Sequence, residues 1–271
     1  MIHHPPIQEE HVNAAFSKQA SGFDALDAEN PIIGWMRNRI RTHVLGLLKP
    51  GDTLLELNAG TGLDAAFFAE KGFSVLATDN AAGMMEALTK KASAPALNNR
   101  LQVQRCSFNE LGKLTGKTFD HIFSNFGGLN CAEDLEQVVL QFAPLLNAGG
   151  MATLVIMPPV CPWEMAAAFK GNFKLAFRRF RRNGTPAHLE GVLFNTYYYS
   201  PRRVEGYFGK GYRKISLQGL GIAVPPPYKY EFARRHPSLL RALIGVESVL
   251  ASRFPFHSMA DHYLITMQKK S

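Results

Sequence analysis

An acid and a glycine turn have the chemistry to hold a nucleoside. Gly60 and Gly62 follow an apolar run, and glycine lets the backbone approach a ligand closely because no Cβ intrudes and positive φ costs little. Asp79 closes a second apolar run about twenty residues after Gly60, where doubly wound folds place the acid that accepts hydrogen bonds from ribose hydroxyls. The pattern predicts a nucleoside site. The alternative is that Asp79 only caps the helix predicted over 81–91.

The elements around this turn alternate between strand and helix, which favours a parallel doubly wound sheet. The predicted strands cover residues 53–57, 74–78, 101–105, 119–124, 150–157, 213–218 and 262–267. Helices are predicted over 8–20 and 31–48, and the glycine turn opens another over 63–71. Ligands of such sheets bind beyond the carboxyl ends of the strands, where Gly60, Asp79 and Asn125 fall.

Glu56 separates two cofactor classes that share this layout. The segment from Gly60 to Ala65 fits the G-x-G-x-x-A fingerprint of dinucleotide-binding folds. With Glu56 ahead of it, however, the segment resembles motif I of the class I S-adenosylmethionine-dependent methyltransferases, an acid followed by G-x-G-x-G. Asn58 stands in place of the first glycine, and Asn tolerates unusual backbone angles better than other non-glycine residues.

The resemblance continues in order over roughly residues 45–157. Asp79 matches the family's acid after strand two, Phe119–Asn125 its strand four, and Phe142–Met151 the following helix, turn and fifth strand. It implies an α/β, Rossmann-like, doubly wound seven-stranded sheet with an antiparallel last strand, an N-terminal helical cap and a lid inserted after strand five. We expect one domain, divided into a cap at 1–48, a cofactor core at 49–157, a lid and substrate insertion at 158–206 and the C-terminal strands at 207–271.

The resemblance also implies which residues contact S-adenosylmethionine and its product S-adenosylhomocysteine. Glu56, Ala59, Gly60 and Gly62 correspond to the amino-acid end and Asp79 to the ribose. Asn80 and Met84 surround the adenine, and Ser107 takes a position where most relatives carry Asp. The full set comprises Glu56, Asn58, Ala59, Gly60, Thr61, Gly62, Asp79, Asn80, Met84, Ser107, Phe108, Asn125 and Phe126.

Four residues are candidates for contact with the methyl acceptor. Phe23 lies in a segment that resembles the cap of small-molecule methyltransferases, where an aromatic closes over the cofactor; the segment could instead be a helix packed on the sheet edge. Asn130 follows strand four and could instead cap a helix over 132–142. Tyr198 and Tyr199 belong to an alternating tyrosine run with one face toward the substrate and one toward the core.

The insertion carries a basic amphipathic pattern. Four phenylalanines recur at helical spacing, and five cations fall mostly on the opposite side; these are Phe169, Phe173, Phe177, Phe180, Lys170, Lys174, Arg178, Arg181 and Arg182. The pattern predicts a helix that could lie on an anionic membrane surface, dock an acidic carrier protein or attract an anionic substrate. The alternative is that the phenylalanines pack on the domain and the cations face water.

Composition narrows the class further. The 271 residues are 46% hydrophobic with a net charge of +8, enough apolar content for a sizeable core. Three scattered cysteines and the absence of an H-x-x-x-H or carboxylate pattern argue against a disulfide framework or a metal site. The first ten residues contain prolines and acids where a signal peptide needs a basic start and an apolar run. No run reaches the ~20 apolar residues of a transmembrane helix, so we expect a cytoplasmic protein.

These observations favour methyl transfer from S-adenosylmethionine to a small-molecule or lipid-like acceptor, by in-line displacement driven by orientation and desolvation. The acceptor could be anionic or carrier-bound, and peripheral membrane contact is compatible with the sequence. Nucleic acid is disfavoured because the loop after strand four lacks the two prolines of amine-modifying nucleic-acid methyltransferases. An NAD(P)-dependent oxidoreductase and a non-catalytic nucleoside-binding module remain alternatives, and no histidine is singled out as a general base.

Overall fold

A seven-stranded sheet positions the site in the computed structural model, which describes residues 7–97 and 99–270. Nine strands are found in these residues: β1 (Thr53–Leu57), β2 (Ser74–Asp79), β3 (Leu101–Arg105), β4 (Phe119–Ser124), β5 (Leu146–Ile156), β6 (Thr185–Leu189), β7 (Val192–Thr196), β8 (Tyr212–Leu220) and β9 (His262–Lys269). The sheet order is β3-β2-β1-β4-β5-β9-β8. The first five strands are parallel, and β9 runs antiparallel to both its neighbours. The predicted fold class is confirmed.

Ten α-helices lie in the same described residues: α1 (Ile7–Glu29), α2 (Pro31–Leu45), α3 (Leu63–Glu70), α4 (Ala82–Ala92), α5 (Leu135–Leu140), α6 (Pro162–Met165), α7 (Phe173–Ala176), α8 (Pro201–Phe208), α9 (Tyr230–Arg235) and α10 (Pro237–Leu250). Within 7–97 and 99–270, none is long and apolar enough to span a bilayer. Residues 1–6, part of the segment used to argue against a signal peptide, lie outside the described residues.

Two hydrophobic layers cover the sheet. The α2, α3 and α4 side buries Met36, Ile40 and Phe68 against the strands, and the α5 and α8 side buries Val138 and Phe208. The central strand β1 is buried along its last four residues, as expected for a parallel strand with helices on both faces. The carboxyl ends of β1, β2 and β4 therefore meet at one fixed edge, with the strand order reversing between β1 and β4.

The first helix is longer than predicted and lies over the strand ends. It continues past residue 20 to Glu29, and Asn30 with Pro31 then starts α2, because the Asn30 side chain accepts from the amides of Ile32 and Ile33. Helix α1 packs on α4 and on the β6–β7 hairpin. A Cβ at Gly83 would lie 2.3 Å from the Ser17 carbonyl oxygen, so the contact with α4 requires glycine.

The single basic amphipathic helix predicted in the insertion is wrong. The segment is broken into α6, a 3₁₀ turn over 166–170, α7 and a further turn over 178–180. Gly171 adopts φ +75° and Asn172 caps α7 anew, which ends the first helical run. The four phenylalanines do not form a buried face either: Phe169 is 94% exposed, and the other three are about half exposed or more.

Candidate functional site

The glycine turn joins β1 to α3 and contains two glycines with different functions. Gly60 has φ +59°, and a Cβ there would meet nothing closer than the Met84 sulfur at 3.9 Å. Gly62 has φ +84°, and a Cβ there would lie 2.3 Å from Cδ1 of Leu88. Gly60 therefore leaves space above the turn, whereas Gly62 allows α4 to pack against it. Between them, the buried Thr61 donates its hydroxyl hydrogen to Asp24 of α1.

Asn58 stands where the resemblance expects the first glycine, and it adopts a left-handed backbone conformation. It adopts φ +45°, as its tolerance of the left-handed region allows. Its Oδ1 accepts a hydrogen bond from Ser124 Oγ at 2.9 Å, which ties the end of β1 to the end of β4. The next residue, Ala59, donates its amide to Thr78 O at 2.9 Å.

Asp79 binds the glycine turn and the start of the next helix through three backbone amides. Oδ2 accepts from Gly60 N at 2.9 Å, and Oδ1 accepts from Asn80 N at 2.8 Å and Ala81 N at 2.9 Å. Burial raises the pKa of Asp79, although the three amides act in the opposite direction. The carboxylate therefore has the capping function considered above. A carboxylate offers about four acceptor positions, so about one remains for a ligand.

Glu56 is a buried carboxylate without a full set of partners. Its side chain is 3% exposed, and Oε2 has no hydrogen-bond partner among the described residues. Burial raises the pKa of Glu56 well above its ordinary value, and the nearby Asp64 raises it further. An orphaned buried carboxylate oxygen beneath an open glycine turn fits a cationic donor, which would restore the missing hydrogen bonds.

Arg37 of α2 is a cation in the cleft, and no sequence pattern distinguishes it from the neighbouring Arg39 and Arg41. Its guanidinium binds Asp27 and Asp64 and lies 4.7 Å from the centre of the Phe126 ring. Burial lowers the pKa of Arg37, but the two carboxylates outweigh it and the net shift is upward. The same Asp64 accepts from Asn125 Nδ2 at 2.8 Å, so the network reaches the loop after β4.

Helix α1 covers this cleft through polar contacts. Glu9 accepts from Asn80 Nδ2 at 2.9 Å and from Asn109 Nδ2 at 2.8 Å. Near its other end, Asp24 accepts from Thr61 and from Lys91. The predicted residues around the adenine thus lie beneath α1. Met84 is buried beside Gly60.

Ser107 and Phe108 follow β3 at the same edge. The Ser107 hydroxyl oxygen accepts from Asn109 N at 3.1 Å and caps the 3₁₀ segment Phe108–Leu114. Phe108 is half-buried and packs between two apolar clusters. The fold places both near Asn80 through the shared contact with Glu9.

Two of the candidate acceptor residues have their polar atoms committed to the backbone. Asn130 is fully buried; its amide donates to Met157 O and Tyr197 O, and its Oδ1 accepts from Met157 N. The expected cap of the following helix is wrong, because Asp134 caps α5. Tyr199 is 3% exposed and donates to Ala132 O or Glu133 O. Neither side chain faces a cleft, since both bind loops together in the core.

Tyr198 points the opposite way from its buried neighbours Tyr197 and Tyr199, as the alternation predicts. Its ring lies 5.1 Å below the guanidinium carbon of Arg179. Phe23 is half-buried on α1. It shares a helical stripe with Phe16, which contacts Phe194, and with Asp27, which binds Arg37, because residues three, four and seven apart share one helix face.

A buried ionic cluster adjoins Tyr198. Arg179 is 4% exposed and binds Glu164 Oε1 and Asp261 Oδ1, both at 2.7 Å. Asp261 also pairs with His262 Nδ1 at 2.9 Å. Burial raises the pKa of Asp261, but His262 and Arg179 bring it down to about 2. Cys161, Glu164 and Asp261 offer ligand-type atoms within 4.8 Å of one another. Arg179 pairs with both carboxylates there, and Arg178 also pairs with Glu164.

The His262 ring packs edge-on against Phe126, with 6.2 Å between ring centres. Arg37, Phe126 and His262 therefore form a row, which Asp261 and Arg179 connect to Tyr198. Sequence spacing could not find this row, because its members come from α2, the loop after β4 and the start of β9.

The described residues fit S-adenosylmethionine by charge and shape. Its amino-acid end carries an ammonium and a carboxylate, which match the orphaned Glu56 oxygen and the Arg37 guanidinium. Its ribose hydroxyls match the remaining acceptor position of Asp79. Among the described residues, a Cβ at Gly60 would approach only the Met84 sulfur, at 3.9 Å, so the backbone there is open to a ligand.

Comparisons with known proteins agree with this geometry. Residues 54–150 match the family model described as a methyltransferase domain, and a search of curated protein sequences gives no match. Among solved structures, the CcbJ methyltransferase from Streptomyces caelestis has a TM-score of 0.62 at 17% identity, covering 95% of this chain and 98% of its own.

Two further structures with bound ligands share the fold. The 1,6-didemethyltoxoflavin-N1-methyltransferase of Burkholderia thailandensis, with bound 1,6-didemethyltoxoflavin and S-adenosylhomocysteine, has a TM-score of 0.58 at 15% identity over 100% of this chain and 92% of its own. The geranyl diphosphate C-methyltransferase of Streptomyces coelicolor, in complex with S-adenosylhomocysteine, has a TM-score of 0.54 at 13% identity over 86% and 75%.

Residues 54–150 therefore form a methyltransferase domain, and the chain shares the fold of the solved methyltransferases described above. The domain match and the fold favour S-adenosylmethionine over the nicotinamide alternative as the cofactor.

Proposed function

We propose that the chain transfers the methyl group of S-adenosylmethionine to a hydroxyl of a small, lipid-like acceptor. The observation that carries the cofactor part is the orphaned Oε2 of Glu56 beneath the open turn at Gly60. The acceptor part rests on the row of Arg37, Phe126 and His262, which Asp261 and Arg179 connect to the half-buried ring of Tyr198.

The cofactor would be held by groups of complementary charge. Glu56 would accept from the ammonium, and Arg37 would exchange part of its contact with Asp27 or Asp64 for the carboxylate. Asp79 would accept one ribose hydroxyl through Oδ2, because its other positions already bind three amides. The Met84 sulfur lies beside Gly60 and would contact the adenosine.

When bound, the cofactor supplies a methyl group on a sulfonium, whose carbon–sulfur bond breaks with its electron pair passing to sulfur. The chain orients the acceptor in line with that bond and excludes water. Orientation alone can lower such a barrier by ~7–11 kcal/mol. Helix α1 would exclude water, because it lies across the strand ends from Glu9 to Asp27.

His262 would take the proton that a hydroxyl acceptor loses. Its Nδ1 pairs with Asp261 Oδ2 at 2.9 Å. A carboxylate only accepts, so Nδ1 donates in this pair, and in the neutral ring Nε2 would be the base. The Phe126 ring contacts both the His262 ring and the Arg37 guanidinium, and the acceptor hydroxyl would lie beside it.

Ligand-dependent thermal stability tests the cofactor part. A ligand present at a hundred times its Kd adds about 2.7 kcal/mol of stability, which raises Tm by roughly 2–4 °C per kcal/mol for a chain of this size. S-adenosylmethionine and S-adenosylhomocysteine should raise Tm, whereas NAD and NADP should not. A shift with NAD or NADP alone would contradict the proposal.

An acceptor screen tests the chemistry. Phenols and quinols with and without alkyl tails should be incubated with the enzyme and methyl-labelled S-adenosylmethionine, with matched amines as controls. His262→Asn should lower kcat for hydroxyl acceptors and leave the Kd of S-adenosylhomocysteine unchanged. Binding of S-adenosylmethionine without transfer to any acceptor would instead support a nucleoside-binding module, and transfer to amines that His262→Asn does not slow would remove His262 as the base.

A further inference from the structure

The segment Met165–Arg182, here called the aromatic–basic segment, exposes aromatic rings to an unusual degree. Phe169 is 94% exposed, Phe173 61%, Phe177 50% and Phe180 48%. Soluble proteins rarely leave contiguous large apolar groups in water unless the surface contacts a partner or a membrane. The four rings lie within twelve consecutive residues, so their exposure is a property of one segment.

The same segment is strongly cationic. It contains two lysines and four arginines and no acidic residue. Lys170, Lys174, Arg181 and Arg182 are exposed and form no salt bridge within residues 7–97 and 99–270. A partner that binds this surface must therefore be anionic and must also bury apolar side chains.

Buried contacts at the base of the aromatic–basic segment keep its phenylalanine rings exposed. Arg179 binds Glu164 and Asp261 and donates to Asp261 O at 2.8 Å. Just before the segment, Trp163 Nε1 donates to Ile222 O at 3.0 Å. These bonds fix the backbone on the domain while the rings between them stay in solvent.

Protruding rings favour a membrane over a protein partner. A protein would need a matching pocket for each ring, whereas the interfacial region of a bilayer admits aromatic side chains without a preformed site, and its anionic head groups attract the cations beside them. The segment presents its rings from α7 and the 3₁₀ turns on either side of it, not as a groove that a peptide or helix could fill.

We propose that the aromatic–basic segment docks the protein on an anionic membrane surface, with Phe169 and Phe173 inserted below the head groups and Lys170, Lys174, Arg181 and Arg182 contacting the lipid phosphates. The location suits a lipid-like acceptor, because Arg179 at the base of the segment contacts the Tyr198 ring at 5.1 Å and shares Asp261 with His262. Vesicle binding itself is independent of methyl transfer, so its outcome and that of the proposed function can be separated.

Sedimentation of the full chain with lipid vesicles tests the proposal. The protein should bind vesicles of phosphatidylcholine and phosphatidylglycerol in equal parts, bind vesicles of phosphatidylcholine alone far more weakly, and be released by salt. Two variants separate the contributions. Phe169→Ala with Phe173→Ala should lower the partition coefficient at least tenfold, and Lys170→Gln with Lys174→Gln should lower it roughly thirtyfold, as expected from the attraction of a cation to an anionic surface.

Matched controls lie at the far end of the sheet. Lys210→Gln with Lys270→Gln removes the same net charge near the start of β8 and the end of β9, and Leu140→Ala removes an apolar side chain that is 54% exposed on α5. Both should bind as the unchanged protein does. The proposal is overturned if the protein ignores anionic vesicles, if the segment variants bind as well as the controls, or if an acidic acyl carrier protein retains the chain while vesicles do not.

Discussion

The side chain of Asn58 occupies the space that a side chain at Gly128 would need. A Cβ at Gly128 would lie 2.0 Å from Nδ2 of Asn58 and 2.5 Å from its Cγ. The asparagine in the first position of the glycine turn is thus matched by a glycine in the loop after β4. Because Asn58 Oδ1 also accepts from Ser124, the pair joins the two strand ends on either side of the point where the sheet order reverses.

This relationship predicts that Gly128→Ala destabilises the protein by about 1–3 kcal/mol, the usual cost of overpacking. Asn58→Gly should restore most of that loss in the double variant, because it empties the space. Urea unfolding of the four proteins in a double-mutant cycle measures the coupling. Additive effects of the two substitutions would show that the residues do not compete for one space.

Glu56→Gln should have opposite effects on stability and on cofactor binding. The raised pKa of Glu56 means that the folded protein holds a proton that the unfolded chain has lost, so its contribution to stability falls as pH rises from about 4.5 through the folded pKa. Glutamine does not ionise, so this loss of stability is absent from the variant. Without ligand, Glu56→Gln should be at least as stable as the wild type at pH 8. Urea unfolding at pH 5 and pH 8 measures the effect.

Cofactor affinity should be lower in Glu56→Gln, because the ammonium of the cofactor requires the ionised carboxylate. Wild-type affinity for S-adenosylhomocysteine should rise with pH until Glu56 is ionised. In Glu56→Gln, affinity should be weaker by ~1.5–3 kcal/mol at pH 8, the scale of a hydrogen bond to a charged group, with a flatter pH dependence. Calorimetry that finds equal affinity and equal slopes in both proteins would remove Glu56 from the cofactor site.

Valine at the two glycines of the turn should separate binding from folding. Gly62→Val should lower stability strongly, because its Cβ collides with Leu88 in the core. Gly60→Val should be strained by its positive φ but meet no packed atom, so the fold is retained while the cofactor is excluded. Circular dichroism and calorimetry on both variants check this. Normal binding by a folded Gly60→Val protein would make the turn purely structural.

The buried His121 and the half-buried His43 predict a loss of stability in mild acid. Burial lowers the pKa of His43 to about 4 and that of His121 to about 3, whereas the ordinary pKa of histidine is 6.5. Below pH 6.5 the unfolded chain therefore binds protons that the folded chain does not. Stability should therefore fall as pH drops from about 6.5 to 4, by up to ~1.4 kcal/mol per pH unit for each histidine.

His43→Gln is the matched variant for this effect, because glutamine can still hydrogen-bond Thr266 Oγ1, which His43 contacts at 2.9 Å. Its urea midpoint should depend on pH less steeply than that of the wild type between pH 6.5 and 4. An unchanged slope would mean that His43 keeps its ordinary pKa of 6.5 in the folded state.

The sheet was predictable because its signals are local. Each parallel strand is a short apolar run, and the turn at Gly60 and the acid at Asp79 stand at fixed distances from strand ends. The contacts of Arg37 were not predictable, because its partners Asp27 and Asp64 come from separate helices, and nothing in the local pattern distinguishes it from Arg39 or Arg41.

In the insertion, a local pattern led to a wrong prediction of one helix. The spacing of Phe169, Phe173, Phe177 and Phe180 fits one helix, but Gly171 takes a left-handed conformation between the first two and Arg179 is drawn into the core by acids that lie far apart in the chain, Glu164 and Asp261. Long-range ion pairs decided the conformation there, and a period of 3.6 carries no information about them.

Helix α1 shares residues with the cleft that it covers. Glu9 accepts from Asn80, Asp24 from Thr61 and Asp27 from Arg37, so each anchor of the helix contacts a residue of the proposed cofactor site. Under the proposed function, exchange of product for fresh cofactor would require the helix to break contacts that form again with the next ligand. Turnover would then have a mechanical step as well as a chemical one, and the slower of the two would set its rate.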